Sequence, residues 1–193
     1  MREVWSSRTV EMKLLREYIR EILNENKLRV FDFDDTLAVT DSMIILNKAS
    51  GEQIKQTPGE WAVYKPEPGD EFDYSEFGGE LMNPREIKDY MNILRRVLGA
   101  GTDGRKAVIL TARAEAARQG IINFLEDIGL NVNDIEIVTL GESDPQFKAQ
   151  WIEDKINDGY DDVYFVDDSD KNISAVQALS VKYPEIKLRT QLV

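Results

Sequence analysis

Two spacings of apolar residues alternate along the second half of the chain. Short aliphatic runs, Ala107–Leu110, Ile135–Leu140 and Asp162–Val166, predict buried strands. Between them, apolar residues recur every three or four positions and predict amphipathic helices. The first such helix starts at Asn83-Pro84, carries Ile87, Tyr90, Met91, Leu94, Val97 and Leu98, and ends at Gly99 and Gly101. A second carries Ala117, Ile121, Phe124, Leu125 and Ile128 and closes at Gly129. A third spans Pro145–Asn157, and a fourth spans Ile173–Val181 and stops near Pro184. A last strand begins at Ile186–Leu188, and an earlier one occupies Leu28–Phe33. Strands alternating with helices predict an α/β fold built on a parallel sheet of about five strands.

Two stretches depart from this rhythm. Residues 1–27 hold an amphipathic helix, with Leu14, Leu15, Tyr18, Ile19, Ile22 and Leu23 at helical spacing; it packs on the domain or docks a protein partner. Residues 38–81 form a long connection after the first strand. Within it, Met43–Leu46 and Gln53–Lys55 read as a hairpin around Ala49-Ser50-Gly51. Thr57 reads as the N-cap of a helix with Pro58 at its first position. Trp61, Tyr64, Phe72, Tyr74 and Phe77 follow among Pro, Gly and acidic residues. Connections of this length are often lids or binding loops. The chain therefore divides into an N-terminal helix, 1–27, and a domain, 28–193, with an insertion at about 38–81.

Composition narrows the chemistry. The 193 residues contain neither His nor Cys. Ser-His-Asp triads, His-ligated zinc and thiolate nucleophiles are thereby excluded, leaving carboxylates, Lys, Arg, hydroxyls and a hard metal. No apolar run is long enough to span a bilayer, and no signal-peptide core is present; a cytoplasmic protein without membrane contact is expected. The net charge of −12 opposes non-specific nucleic-acid binding and makes a divalent cation the natural mediator for a phosphate substrate.

In parallel α/β sheets, ligands bind beyond the carboxyl ends of the strands. Those ends carry the polar residues here. Asp32, Asp34, Asp35 and Thr36 end the first strand, Thr111-Ala112-Arg113 the second, and Asp167-Asp168-Ser169-Asp170 the fourth. Three carboxylates closing an apolar strand are costly unless a metal, backbone amides or a chemical task offsets them. Asp32-Phe33-Asp34-Asp35-Thr36, Thr111, a Lys before the fourth strand, and Asp167-Asp168 together resemble the motifs of the haloacid-dehalogenase-like phosphohydrolases, over roughly residues 28–190. The spacing is also similar to that of polynucleotide phosphatase domains.

The resemblance implies a three-layer Rossmann-like sheet of order 3-2-1-4-5, with a small lid between the first and second motifs. It implies Mg²⁺-dependent hydrolysis of a phosphate monoester through an aspartyl-phosphate on Asp32, with Asp34 as general acid/base. The implied metal ligands are the Asp32 carboxylate, the Asp34 carbonyl and Asp168, with Asp167 in support. Thr111 would bond a phosphoryl oxygen. The balancing cation is Lys148 or Lys155, both on the apolar arc of their helix. Lys148 is preferred, because seven residues along a helix is about 10 Å. Asp35 stands where many members have Gly and is read as capping the next turn. Asp170 is read as capping the helix near Asn172. Arg113 either grips substrate or pairs with Glu115 or Asp170. The substrate is a small phosphate ester, with Trp61 or Tyr64 as stacking candidates, or a nucleic-acid end phosphate. The competing expectation is a catalytically silent Mg²⁺-binding module that docks through its N-terminal helix.

Overall fold

The computed structural model describes residues 26–101 and 104–193; the expected helix within 1–27 lies outside them. Five strands form one parallel sheet: β1 (Lys27–Phe31), β7 (Arg105–Thr111), β8 (Ile135–Thr139), β9 (Asp162–Asp167) and β10 (Lys187–Leu192). Their order is β10-β9-β1-β7-β8, which puts β1 at the centre. Counting only the strands of this sheet along the chain and reading from the β8 edge, the order is 3-2-1-4-5. Five short strands intervene between β1 and β7 and stay outside the main sheet.

Alternate residues of these strands feed two apolar clusters, as the two-residue pleat requires. Phe31, Ile109, Ile137 and Val166 pack with Met91 and Leu94 of α2 (Lys88–Gly99) and with Ile121, Phe124 and Leu125 of α3 (Arg118–Asp127). Leu28, Val30, Val108, Leu110, Val163 and Phe165 pack with Ala149, Ile152 and Ile156 of α4 (Pro145–Asn157) and with Val176 of α5 (Asp170–Gln177). The expected fourth helix is broken in two, with α6 at Leu179–Lys182. Asn83-Pro84 does not open a helix. Asn83 takes a left-handed φ of 44°, and Arg85–Glu86 pair as β6 with β2 (Ala38–Val39), so α2 starts only at Lys88.

The insertion leaves and returns through this β2–β6 ribbon. Beyond it, β3 (Ile44–Asn47), β4 (Gln53–Gln56) and β5 (Glu71–Asp73) form an antiparallel sheet, including the expected hairpin. α1 (Pro58–Val63) begins with a capping box: the Thr57 hydroxyl accepts from the Glu60 amide, and Glu60 accepts from the Thr57 amide. Leu46, Ile54 and Phe72 lie opposite one another on one face of the sheet. The rings of Trp61 and Tyr64 meet Phe72 edge-on at 6.4 and 6.1 Å. These aromatics build a small core for the insertion itself, which gives the stacking candidates Trp61 and Tyr64 a structural occupation. Among the described residues, no helix is long and apolar enough to cross a membrane.

Candidate active site at the carboxyl edge of the sheet

Chain direction in a parallel sheet brings every strand's carboxyl end to one edge. Asp32 follows β1 directly, and its amide donates to the Val166 carbonyl of β9 at 2.9 Å. Thr111 ends β7 and is buried. Its hydroxyl oxygen accepts from the Arg113 amide at 3.1 Å, which leaves the hydroxyl proton to donate elsewhere. Leu140 and Gly141 donate their amides to the Thr111 and Arg113 carbonyls, fastening the loop after β8 to the same edge.

Lys148 joins three of these elements. Asp144 caps α4 by accepting from the Gln146 amide, and Pro145 occupies the first turn. This start places Lys148 beside the strand ends. Its Nζ donates to Asp32 Oδ1 at 2.6 Å and to Asp167 Oδ2 at 2.8 Å, and the side chain is buried. Lys155 is elsewhere, paired with Asp158 at 2.8 Å and lying over the Trp151 ring. Burial works against the Lys148 ammonium, but Asp32 and Asp167 more than reverse this and push its pKa up. For Asp32, burial is the largest influence and pushes the carboxyl well up; Lys148 opposes it, while Asp167, Asp168 and Asp34 add to it.

The acidic pair divides its work. Asp167 is fully buried and its oxygens are spoken for: Oδ2 by Lys148, Oδ1 by the Ser169 amide and the Asn172 side chain, both at 2.9 Å. Asp168 is exposed, and no cation pairs with it among the described residues. Partial desolvation, then the charges of Asp167 and Asp35, push its carboxyl up to about 6.

Arg113 takes neither expected partner. Its guanidinium is buried and forks onto Asp34, with Nε to Oδ2 at 2.9 Å and Nη2 to Oδ1 at 2.7 Å. Glu115 pairs with Arg118. The cap of α5 is Ser169, accepting from the Asn172 amide, and not Asp170. Asp35 supplies backbone shape, with a left-handed φ of 54° and its amide donating to Ala38. That conformation suits Gly, and Asp adopts it more readily than most residues.

Sequence reasoning missed Asn172, which braces Asp167, and Thr40, Ser42 and Phe77, which surround Arg113. Asn172 had a signal: it falls in the first turn of a helix beginning just past the acidic pair. The Arg113 neighbours had none, because they reach it through the tertiary seat of the insertion.

Five carboxylates, Asp32, Asp34, Asp35, Asp167 and Asp168, thus stand against two cations, Lys148 and Arg113. No three acidic side chains among the described residues form a ready-made metal cage. Asp34 is committed to Arg113, and Asp167 to Lys148, Ser169 and Asn172. The donors left over are the Asp32 and Asp168 carboxylates and the Asp34 carbonyl. Two carboxylates and a carbonyl, with water, are an oxygen-only set that suits Mg²⁺, and the excess negative charge fits a divalent ion. Compared with protein-family models and with curated proteins, the chain matches none.

Proposed function

We propose that the protein is a Mg²⁺-dependent phosphatase of the haloacid-dehalogenase type, with helices on both faces of the sheet in that family's three-layer manner. The observation that carries this reading is the Lys148 ammonium set between Asp32 and Asp167, beside an edge with surplus negative charge. When bound, Mg²⁺ would neutralise phosphoryl oxygens so that an anionic nucleophile can approach. An Asp32 carboxylate oxygen attacks phosphorus and forms an aspartyl-phosphate, while the ester oxygen leaves with a proton from Asp34. Asp34, now a carboxylate, takes a proton from the water that attacks the aspartyl-phosphate. Inorganic phosphate departs and Asp32 is regenerated. The Thr111 hydroxyl donates to a phosphoryl oxygen, and Lys148 balances charge on the Asp32 side.

A small phosphate ester is the favoured substrate over a nucleic-acid end. Residues 38–86 carry ten acidic and four basic side chains, a surface that repels a polyanion. The test is Mg²⁺-dependent phosphate release from nucleotides, sugar phosphates and 3′-phosphorylated oligonucleotides, with Asp32→Asn alongside. Release from at least one small ester, abolished in the variant, is expected. A folded wild-type protein that releases phosphate from none of them overturns the reading, and full activity in Asp32→Asn overturns the nucleophile.

A further inference from the structure

The insertion touches the carboxyl edge at two places. The first is Arg113. Beyond its fork on Asp34, Nη2 donates to Thr40 Oγ1 at 3.0 Å and reaches Ser42 Oγ at 3.5 Å, and Nη1 donates to the Phe77 carbonyl at 3.4 Å. The guanidinium also lies over the Phe77 ring, 4.7 Å from its centre. The second is Gly120, in the first turn of α3. A Cβ there would stand 3.2 Å from the Leu81 amide nitrogen and 3.3 Å from its side chain. Glycine inside a helix costs about 1 kcal/mol relative to Ala. Here it lets the insertion's backbone lie directly on the helix.

We propose that Arg113 is a positioning residue that couples the seating of the insertion to the orientation of Asp34. A guanidinium is a rigid planar fork of five donors. Two of these hold Asp34, and Nη1 and Nη2 each also reach a group of the insertion, in a side chain that is 1% exposed. Lifting the insertion either tilts the fork, which swings Asp34, or strands buried donors, which is costly. The insertion joins the domain through a narrow connection, the two-residue β2–β6 ribbon and the Asp41–Arg85 ion pair. A seated insertion therefore presents Asp34 in one orientation, and an unseated one releases it. Coupling of this kind is reciprocal: loosening Asp34 loosens the insertion. The consequence for turnover rests on the phosphatase reading; the coupling itself does not.

The test uses the whole chain, with amide hydrogen exchange across residues 74–86 as the reporter of seating. Exchange across Arg105–Thr111 confirms that each variant keeps its sheet. Asp34→Asn lies outside the reporter segment, yet it should speed exchange there at least about fivefold, the low end of ordinary coupling. Gly120→Ala and Thr40→Val should speed it as well. On an ester that the wild type hydrolyses, both should lower kcat on the order of tenfold with KM nearly unchanged; a misplacement of about 1 Å can cost 100-fold. Arg113→Lys keeps the charge but not the fork, and should fail to restore either readout. Wild-type exchange in Asp34→Asn overturns the coupling. So does faster exchange in Gly120→Ala with kcat retained, or lower kcat with exchange unmoved. A wild type that releases no phosphate defeats the phosphatase reading alone, and Asp34→Asn then decides the coupling.

Discussion

Two charged clusters sit at opposite ends of the same central strands, and they are balanced in opposite ways. At the amino edge, Asp162 starts β9 and is enclosed by cations: Arg29 at 2.9 Å, Arg189 at 2.6 Å and Lys187 at 3.5 Å. Arg29 is buried and also donates to the Asp162 and Leu28 carbonyls, while Arg189 and Lys187 are half in solvent. At the carboxyl edge, about five residues or 17 Å along the strands, carboxylates outnumber cations, and the exposed Asp168 has no ion-pair partner among the described residues. The amino-edge cluster completes itself with protein groups. The carboxyl-edge cluster is left short of positive charge at the edge where parallel α/β sheets generally take ligands. Both clusters are buried ion networks, so burial alone does not mark a functional site; an unmet charge at an open edge does.

Removing Lys148 is the strongest way to break the comparison. Lys148→Ala leaves Asp32 and Asp167 together in a buried site without their cation. Phosphate release should fall about 1,000-fold, the upper range for losing one preorganised electrostatic partner, and stability should drop by about 3 kcal/mol. Steady-state kinetics and urea unfolding read the two losses. The counterpart at the other edge is Asp162→Asn, which should cost about 3 kcal/mol by leaving Arg29 buried without its carboxylate, yet leave turnover at the wild-type level. A fall in activity matching the Lys148 variant would erase the distinction between the edges.

The amino edge also carries a pH signature. Burial pushes Asp162 up, but hydrogen bonds from Arg29 and Arg189 outweigh it and hold the carboxyl below its usual 3.8. A lowered carboxylate stabilises the fold fully above the unfolded value and loses that contribution as pH falls through the folded one. Wild-type stability should therefore carry an Asp162 component at neutral pH that is lost progressively as pH falls below 3.8. In urea titrations at neutral and acidic pH, Asp162→Asn should lack that part of the acid sensitivity. A third experiment adds the missing charge. Mg²⁺ at about 100 times its dissociation constant should stabilise the wild type by about 2.7 kcal/mol. Asp162→Asn should keep this gain and Asp168→Asn should lose most of it, as read by thermal unfolding with and without the ion. Equal gains in both variants would place the ion away from the carboxyl edge.

The contrast between the edges also divides what the sequence disclosed. The central sheet was readable because Val30, Val108 and Phe165 sit in uninterrupted apolar runs. The carboxyl-edge groups were readable because each follows such a run directly. Lys148 was separable from Lys155 by helix rise alone. The amino edge was not readable: Arg29 lies inside an apolar strand, and its partner Asp162 is 133 residues away, close only through strand pairing. At the start of α2 the local Asn-Pro signal loses to pairing of Arg85–Glu86 with Ala38–Val39. The engagement of Arg113 with Asp34 and Phe77 likewise depends on how the insertion folds back, which no local pattern encodes.

The smallest expected effect concerns Thr36, in the loop between Asp35 and Leu37. It is fully buried, and its hydroxyl has no hydrogen-bond partner among the described residues. An unpaired buried hydroxyl is a net burden on the folded state, whereas an isosteric methyl is not. If the carboxyl-edge loop is held by Phe33, Leu37 and backbone bonds such as Leu37 amide to Phe33 carbonyl at 2.9 Å, the hydroxyl adds nothing to stability. Thr36→Val should then leave the urea midpoint unchanged or raise stability by up to about 1 kcal/mol. A loss of that size instead would mean that the hydroxyl is paired in solution, and that the carboxyl edge is better satisfied than its amino-edge counterpart suggests.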